Sequence, residues 1–154
     1  INQLAERFRT TLFRQAMFAE FEAETYRLSW SGTPLTKDLL CSLYHELNSE
    51  YYGEETVIDE DIDHEWERIP HFYMQFYVYQ YATGFSAAMA IARRILSGDE
   101  KTKEGYFRFL KGGCSKTPVE LLKLVGLDME KPDVVNEAMK VFEGLIKELE
   151  GSFS

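Results

Sequence analysis

Residues 69–92 read IPHFYMQFYVYQYATGFSAAMAIA, and those 24 positions hold no side chain that is formally charged at pH 7. Seven aromatics lie among them, Phe72, Tyr73, Phe76, Tyr77, Tyr79, Tyr81 and Phe85, with His71 at the head. The sequence on either side is crowded with acids and bases. So long an uncharged run predicts burial. Pro70 sits where its missing N–H costs nothing, which predicts one long central helix from that residue. Arg93 and Arg94 would occupy its last turns, where positive charge suits the helix dipole, and Gly98 would end it. The run is long enough to span a bilayer. Its Gln75, Gln80, Thr83, Ser86, His71 and tyrosines make it too polar for a membrane helix, so no membrane is expected. Buried phenols require hydrogen-bond partners. Either the protein supplies all of them, or a substrate supplies some.

Outward from this stretch, apolar residues recur at helical rather than strand spacing. Leu4, Phe8, Leu12 with Phe13, Ala16, Met17 and Phe21 predict one amphipathic helix over residues 1–27. The run from Ser29 to Pro34 makes a turn. Thr36 is a credible N-cap for a second helix with Leu39, Leu40, Leu43, Tyr44 and Leu47 inward, stopped by Gly53. Residues 54–63 are dense in acids and read as a solvated loop. After the aromatic stretch, Tyr106, Phe107, Phe109 and Leu110 mark a short helix closed by Gly112 and Gly113. Thr117-Pro-Val-Glu120 is a capping box with proline at the first helical position, and Gly126 is a natural end. A last helix over 132–150 turns Val134, Val135, Ala138, Met139, Phe142, Leu145, Ile146 and Leu149 inward. The expected fold is all-α, a helical bundle, with residues 1–154 forming a single helical unit.

The net charge of −9 and the absence of a long basic run argue against nucleic acid as a partner. Cys41 and Cys114 form no Cys-x-x-Cys pattern and read as two reduced thiols of a cytosolic protein. Two His-Glu dipeptides, His45-Glu46 and His64-Glu65, suggest a helical zinc motif, but that motif needs a second histidine four residues after the first. Ser49 and Arg68 stand there instead. A di-iron bundle would need paired Glu-x-x-His segments, and Asp61-x-x-His64 is the nearest approach. No metal site is expected from this chain alone. Ser115 lacks the Gly-x-Ser-x-Gly setting of a hydrolase nucleophile, and Gly112-Gly113 reads as a turn.

The aromatic stretch remains. On a helix, Tyr73, Tyr77 and Tyr81 would share one face, with Gly84 and Ala88 continuing it as small residues. An aromatic stripe at this spacing is commonly core. Hydroxylated rings outnumber plain ones, however, and His71 lies just ahead. Phenolic and imidazole donors meeting at a cleft could hold a substrate carbonyl and stabilise the oxyanion formed when it is attacked.

Arg68-Ile-Pro-His-Phe-Tyr73 followed by Phe76-Tyr-Val-Tyr-Gln-Tyr-Ala-Thr-Gly84 resembles the C-terminal catalytic region of oligoendopeptidase F, a group of zinc metallopeptidases related to thimet oligopeptidase. Four further stretches fit in order: Phe13-Arg-Gln-Ala-Met-Phe-Ala-Glu-Phe-Glu22, Tyr51-Tyr-Gly53, Phe109-Leu-Lys-Gly-Gly113, and Pro118-Val-Glu-Leu-Leu-Lys123 leading to Gly126-Leu-Asp-Met129. The resemblance covers nearly the whole chain. It implies the C-terminal portion of an all-α, clam-like peptidase that admits short peptides and binds zinc through His-Glu-x-x-His and a later glutamate. Those ligands match no position here and are expected upstream, so zinc belongs to the intact enzyme and none to this chain alone. The resemblance places Glu20, Glu22 and Glu24 after the third ligand, as helix-surface acids.

What the resemblance gives this segment is the opposite wall of the active site. It carries catalytic roles to His71 and Tyr77, with Tyr77 as oxyanion donor and His71 assisting. Substrate binding goes to Tyr81, with Tyr79 and Tyr73 as alternates. The partners implied are short peptides and the upstream zinc-binding part of the same protein. The start at Ile1, in mid-pattern and without Met, suggests a piece of something longer. The reduced thiols set the expected location as cytoplasmic. The competing expectations are a free-standing helical peptide-binding module without catalysis, and a helical domain with no ligand.

Overall fold

Leu4, Phe8, Leu12, Met17 and Phe21 follow one another at intervals of four, four, five and four residues. The five-residue step begins at the end of a stretch that the computed structural model, which describes residues 1–152, winds more loosely. Helix α1 spans Asn2–Arg7, Phe8–Phe13 form a π-helical stretch, and α2 spans Arg14–Trp30. The expected single helix is thus unbroken in its course but re-registered midway. A π-helical stretch shifts the phase of the residues that follow it. That lets Phe8 and Met17, both fully buried, belong to different cores.

Helix α3 covers Lys37–Tyr52, with the Thr36 hydroxyl accepting from the Leu39 N–H as expected of an N-cap. The acidic segment is less irregular than its composition predicts. From Glu60 to Arg68 it forms a 3-10 helix whose N-cap, Asp59, accepts from the Asp61 N–H. A 3-10 turn over Pro70–Tyr73 follows, then α4 over Tyr79–Leu96 and α5 over Glu100–Gly112. The capping box of Thr117 and Glu120 opens α6, Pro118–Lys123, and α7 spans Asp133–Ser152. No strand occurs among the described residues, in keeping with the expected all-α fold. No helix among them is long and apolar enough to cross a membrane.

Residues divide into two compact units, one of 9–82 and the other of 1–8 with the chain from 83 onward. In the 9–82 unit, Met17, Phe18 and Phe21 of α2 meet Tyr44 and Leu47 of α3, with Ile69 and Val78 closing the core. Tyr44 stands edge-on to Phe21 at 5.2 Å between ring centroids, and Phe72 packs on Phe21 at 5.3 Å and on Phe18 at 5.6 Å. Each such buried ring contributes roughly 1.5–3 kcal/mol.

In the other unit, Ala87, Ala90 and Ile91 of α4 pack with Val125, Leu127 and Val134. Phe8 inserts between Phe85 and Phe142, at 4.9 and 5.1 Å. Gly105 lets α5 run close to the end of α6, because a Cβ there would collide with the Leu124 carbonyl oxygen.

Candidate active site

The helix expected to start at Pro70 starts nine residues later, at Tyr79. The intervening chain is a string of short i→i+3 turns. Phe72 donates to the Ile69 carbonyl, Met74 to His71, Tyr77 to Met74, and Gln80 to Tyr77. The break is Phe76, whose φ is +51°, a value that non-glycine residues rarely adopt. It occupies the third position of the turn closed by Tyr77 and Met74, where positive φ ordinarily calls for glycine or asparagine. Its N–H is taken by Glu22 Oε1 on α2 at 2.7 Å, and its ring lies against Tyr26 at 4.9 Å.

Two apolar anchors bracket the break. Phe72 goes into the aromatic core, and Val78 is fully buried. The expectation of wholesale burial fails between them. Tyr73 is 87% exposed, and Met74, Phe76 and Tyr79 are exposed too. An uncharged run is compatible with a loop when its rings cover a surface instead of filling an interior.

With Phe72 pinned inward, His71 and Tyr77 face each other on the opposite side, and the first full turn of α4 brings Tyr81 to both. Ring centroids lie 5.4 Å apart for His71 and Tyr77, 5.6 Å for His71 and Tyr81, and 5.5 Å for Tyr77 and Tyr81. The two phenols share a hydrogen bond of 3.0 Å. That bond, with some burial and the neighbouring phenol's own charge when ionised, raises the Tyr81 pKa above the ordinary tyrosine value. One hydroxyl proton is used within the pair. The other remains to be donated outward, and the cluster is half open to solvent.

Of the residues singled out in the sequence, His71, Tyr77 and Tyr81 are thus brought together. Tyr73 does not share a helical face with them, because it lies in the 3-10 turn before α4. Tyr79 is the first residue of α4, two positions before Tyr81 and so on another side of that helix.

The acids of α2 also need correction. Glu20 accepts from the Tyr51 hydroxyl and Glu24 pairs with Arg27, as surface acids do. Glu22, however, is only 4% exposed. It lies one turn after the fully buried Phe18, a placement that could have flagged it as an interior acid. The two His-Glu dipeptides approach each other without converging. His45 pairs with Asp63 at 2.8 Å, while His64 faces Glu67 at 3.0 Å and the Cys41 sulfur at 3.5 Å. Among the described residues no three His, Cys, Asp or Glu side chains are placed to hold a metal ion. Cys41 and Cys114 are free thiols.

The profile described as Peptidase family M3 matches residues 1–141. This chain belongs to peptidase family M3. Within the family it is 47% identical over 150 residues to "Oligopeptidase PepF" of Bacillus subtilis (strain 168), covering 97% of this chain and 22% of that protein. It is 43% identical over 150 residues to "Oligoendopeptidase F, chromosomal" of Lactococcus lactis subsp. cremoris, covering 97% of this chain and 25% of that protein. Among solved structures it superposes on oligoendopeptidase-F from Enterococcus faecium with a TM-score of 0.94 and 44% identity, over 97% of this chain and 29% of that one. The resemblance to oligoendopeptidase F therefore holds in sequence and in fold. The chain spans about a quarter of the length of the M3 relatives it matches.

Proposed function

We propose that residues 1–154 are one C-terminal segment of the catalytic domain of a zinc-dependent oligoendopeptidase that hydrolyses short peptides in the cytoplasm. In this reading the segment supplies the substrate-binding and oxyanion-stabilising wall. The names of the M3 relatives support the peptidase activity, and the free thiols fit a reducing compartment. The observation that carries the role of this segment is the contact of His71 with both rings of the hydrogen-bonded Tyr77–Tyr81 pair.

The described residues do not fit a zinc ion, and the ligands are assigned to the upstream part of the same protein. The chemistry given to this chain is hydrogen-bond donation. Tyr77 donates its hydroxyl proton to the carbonyl oxygen of the scissile peptide. As water adds to the carbonyl carbon, that oxygen gains negative charge and the bond shortens and strengthens. Only interactions stronger in the transition state than in the ground state raise turnover, and a donor aimed at a nascent oxyanion is of that kind. Tyr81 donates to the Tyr77 oxygen in turn, so the two phenols act as a polarised chain. His71 packs on both rings, holds them in place, and offers a ring N–H towards the same oxygen. Tyr81, with Tyr79 and Tyr73 at the rim, orients the peptide.

The test is Tyr77→Phe in the intact protein, assayed on an internally quenched short peptide. Turnover should fall by ~10²–10³, with zinc content unchanged by elemental analysis. Turnover within twofold of the parent would overturn the assignment.

A further inference from the structure

Phe76 adopts a backbone conformation that costs a phenylalanine free energy, and such strain persists only where the surroundings over-determine it. Here one interaction does so directly. Glu22, buried in α2 and 54 positions away in sequence, accepts the Phe76 N–H through Oε1 at 2.7 Å. Burying a carboxylate is expensive unless its hydrogen bonds repay the cost. A buried acid that reaches a single strained amide is therefore an investment in that backbone geometry. The next residue is Tyr77, whose own N–H closes the same turn on the Met74 carbonyl.

We propose that Glu22 is a positioning residue for the peptidase site: by holding Phe76 in its left-handed turn it aims the Tyr77 hydroxyl at the oxyanion. The claim rests on the function proposed above. Without the Glu22 acceptor, Phe76 would relax towards negative φ, and the peptide plane that carries Tyr77 would rotate. Phe72 and Val78 would still anchor the ends of the loop in the core. The fold would survive while the phenol moved relative to His71 and Tyr81. Misplacement of a catalytic donor by about 1 Å costs on the order of 10²-fold in rate.

Glycine adopts positive φ without strain, so a glycine at position 76 should make the anchor dispensable. In the intact protein, Glu22→Ala should lower kcat on a quenched peptide by ~10²-fold with little change in KM. Adding Phe76→Gly to Glu22→Ala should restore kcat by about tenfold. Glu22→Gln keeps an acceptor oxygen at the same reach and should rescue most of the turnover. Glu22→Asp keeps the charge but withdraws the oxygen, and should not. The Gln and Asp pair decides the matter if Glu22→Ala does not accumulate in folded form.

Retention of turnover in Glu22→Ala would overturn the inference. So would failure of Phe76→Gly to recover any activity, or a reversed order with Asp active and Gln inactive, which would mean that charge and not aim is what Glu22 supplies. Tyr77→Phe, run in the same assay, separates this claim from the one beneath it. If Tyr77→Phe is slow and Glu22→Ala is not, only the positioning role falls. If Tyr77→Phe is as fast as the parent, both fall.

Discussion

The 9–82 unit contains two clusters of phenols and ionisable groups, built from similar parts to opposite effect. In the first, the buried Glu65 carboxylate accepts from Arg14 at 2.5 Å, from Arg68 at 2.5 Å and from the Tyr44 hydroxyl at 2.7 Å. All three donors there converge on one carboxylate that is itself buried. In the second, Tyr77 and Tyr81 share one hydrogen bond between two hydroxyls beside a half-exposed imidazole. One proton is left over. A closed polar cluster specifies packing, whereas an open one keeps binding capacity for something outside the chain. The difference predicts that substitutions in the first should register as stability and those in the second as turnover.

The largest effect should come from the closed cluster. Glu65→Ala strands the Tyr44 hydroxyl and the half-buried Arg14 without their shared acceptor, and removing one member of a buried ion pair costs roughly 3–5 kcal/mol. Chemical denaturation of the intact protein should show a loss of that size, with kcat of the surviving folded fraction close to the parent. A comparable loss of turnover per folded molecule would dissolve the distinction between the clusters. Tyr77→Phe should do the reverse, raising the barrier by about 3–4 kcal/mol while leaving the unfolding midpoint almost unchanged.

Tyr44 gives the comparison a pH dependence. Burial, and then donation to the Glu65 carboxylate, raise its pKa well above that of a free phenol. A group whose folded pKa is raised contributes stability that is fully present below its unfolded value. That contribution should erode once the pH passes about 10, where the unfolded phenol ionises and the folded one does not. Tyr44→Phe removes the component. The variant should be less stable than the parent at neutral pH by about 1 kcal/mol, the worth of one lost hydrogen bond. Its stability should then decline less steeply between pH 10 and pH 12. Parallel curves for parent and variant in that range would show that the phenol is not the titrating group.

How far the sequence discloses these clusters depends on whether the determinants are local. The capping box at Thr117 and Glu120, the N-cap at Thr36 and the inward face of α3 are set by residues within one or two turns of each other, and they are legible; on α7 the expectation holds for Val134 and Ala138 but not for Val135, which is exposed. The five-residue step from Leu12 to Met17 also lies in the sequence and straddles the end of the π-helical stretch, although a single amphipathic pattern conceals it. The start of α4 is not legible in this way. Pro70 and an uncharged run point to a helix, yet an acid 54 positions earlier satisfies the Phe76 N–H and stabilises a left-handed residue with no glycine to announce it. The same interaction explains why four-residue spacing fails to unite Tyr73 with Tyr77 and Tyr81. The cluster of His71, Tyr77 and Tyr81 is legible only through the resemblance, since periodicity taken alone favours core.

Tyr73 provides the mildest and most discriminating substitution. Spacing alone would rank it with Tyr77 and Tyr81, but its place in the Pro70–Tyr73 turn and its exposure set it outside their cluster. As a rim contact it would bind substrate and transition state about equally, which affects KM and leaves kcat untouched. Tyr73→Phe should therefore change stability by less than about 0.5 kcal/mol, the usual range for an exposed position. kcat on a short quenched peptide should stay within about threefold of the parent, any loss appearing in KM. If Tyr73→Phe instead lowered kcat as far as Tyr77→Phe does, the donor would sit on the exposed turn. The shared hydrogen bond of Tyr77 and Tyr81 would then be a packing detail, and the open cluster would have to be redrawn around Tyr73.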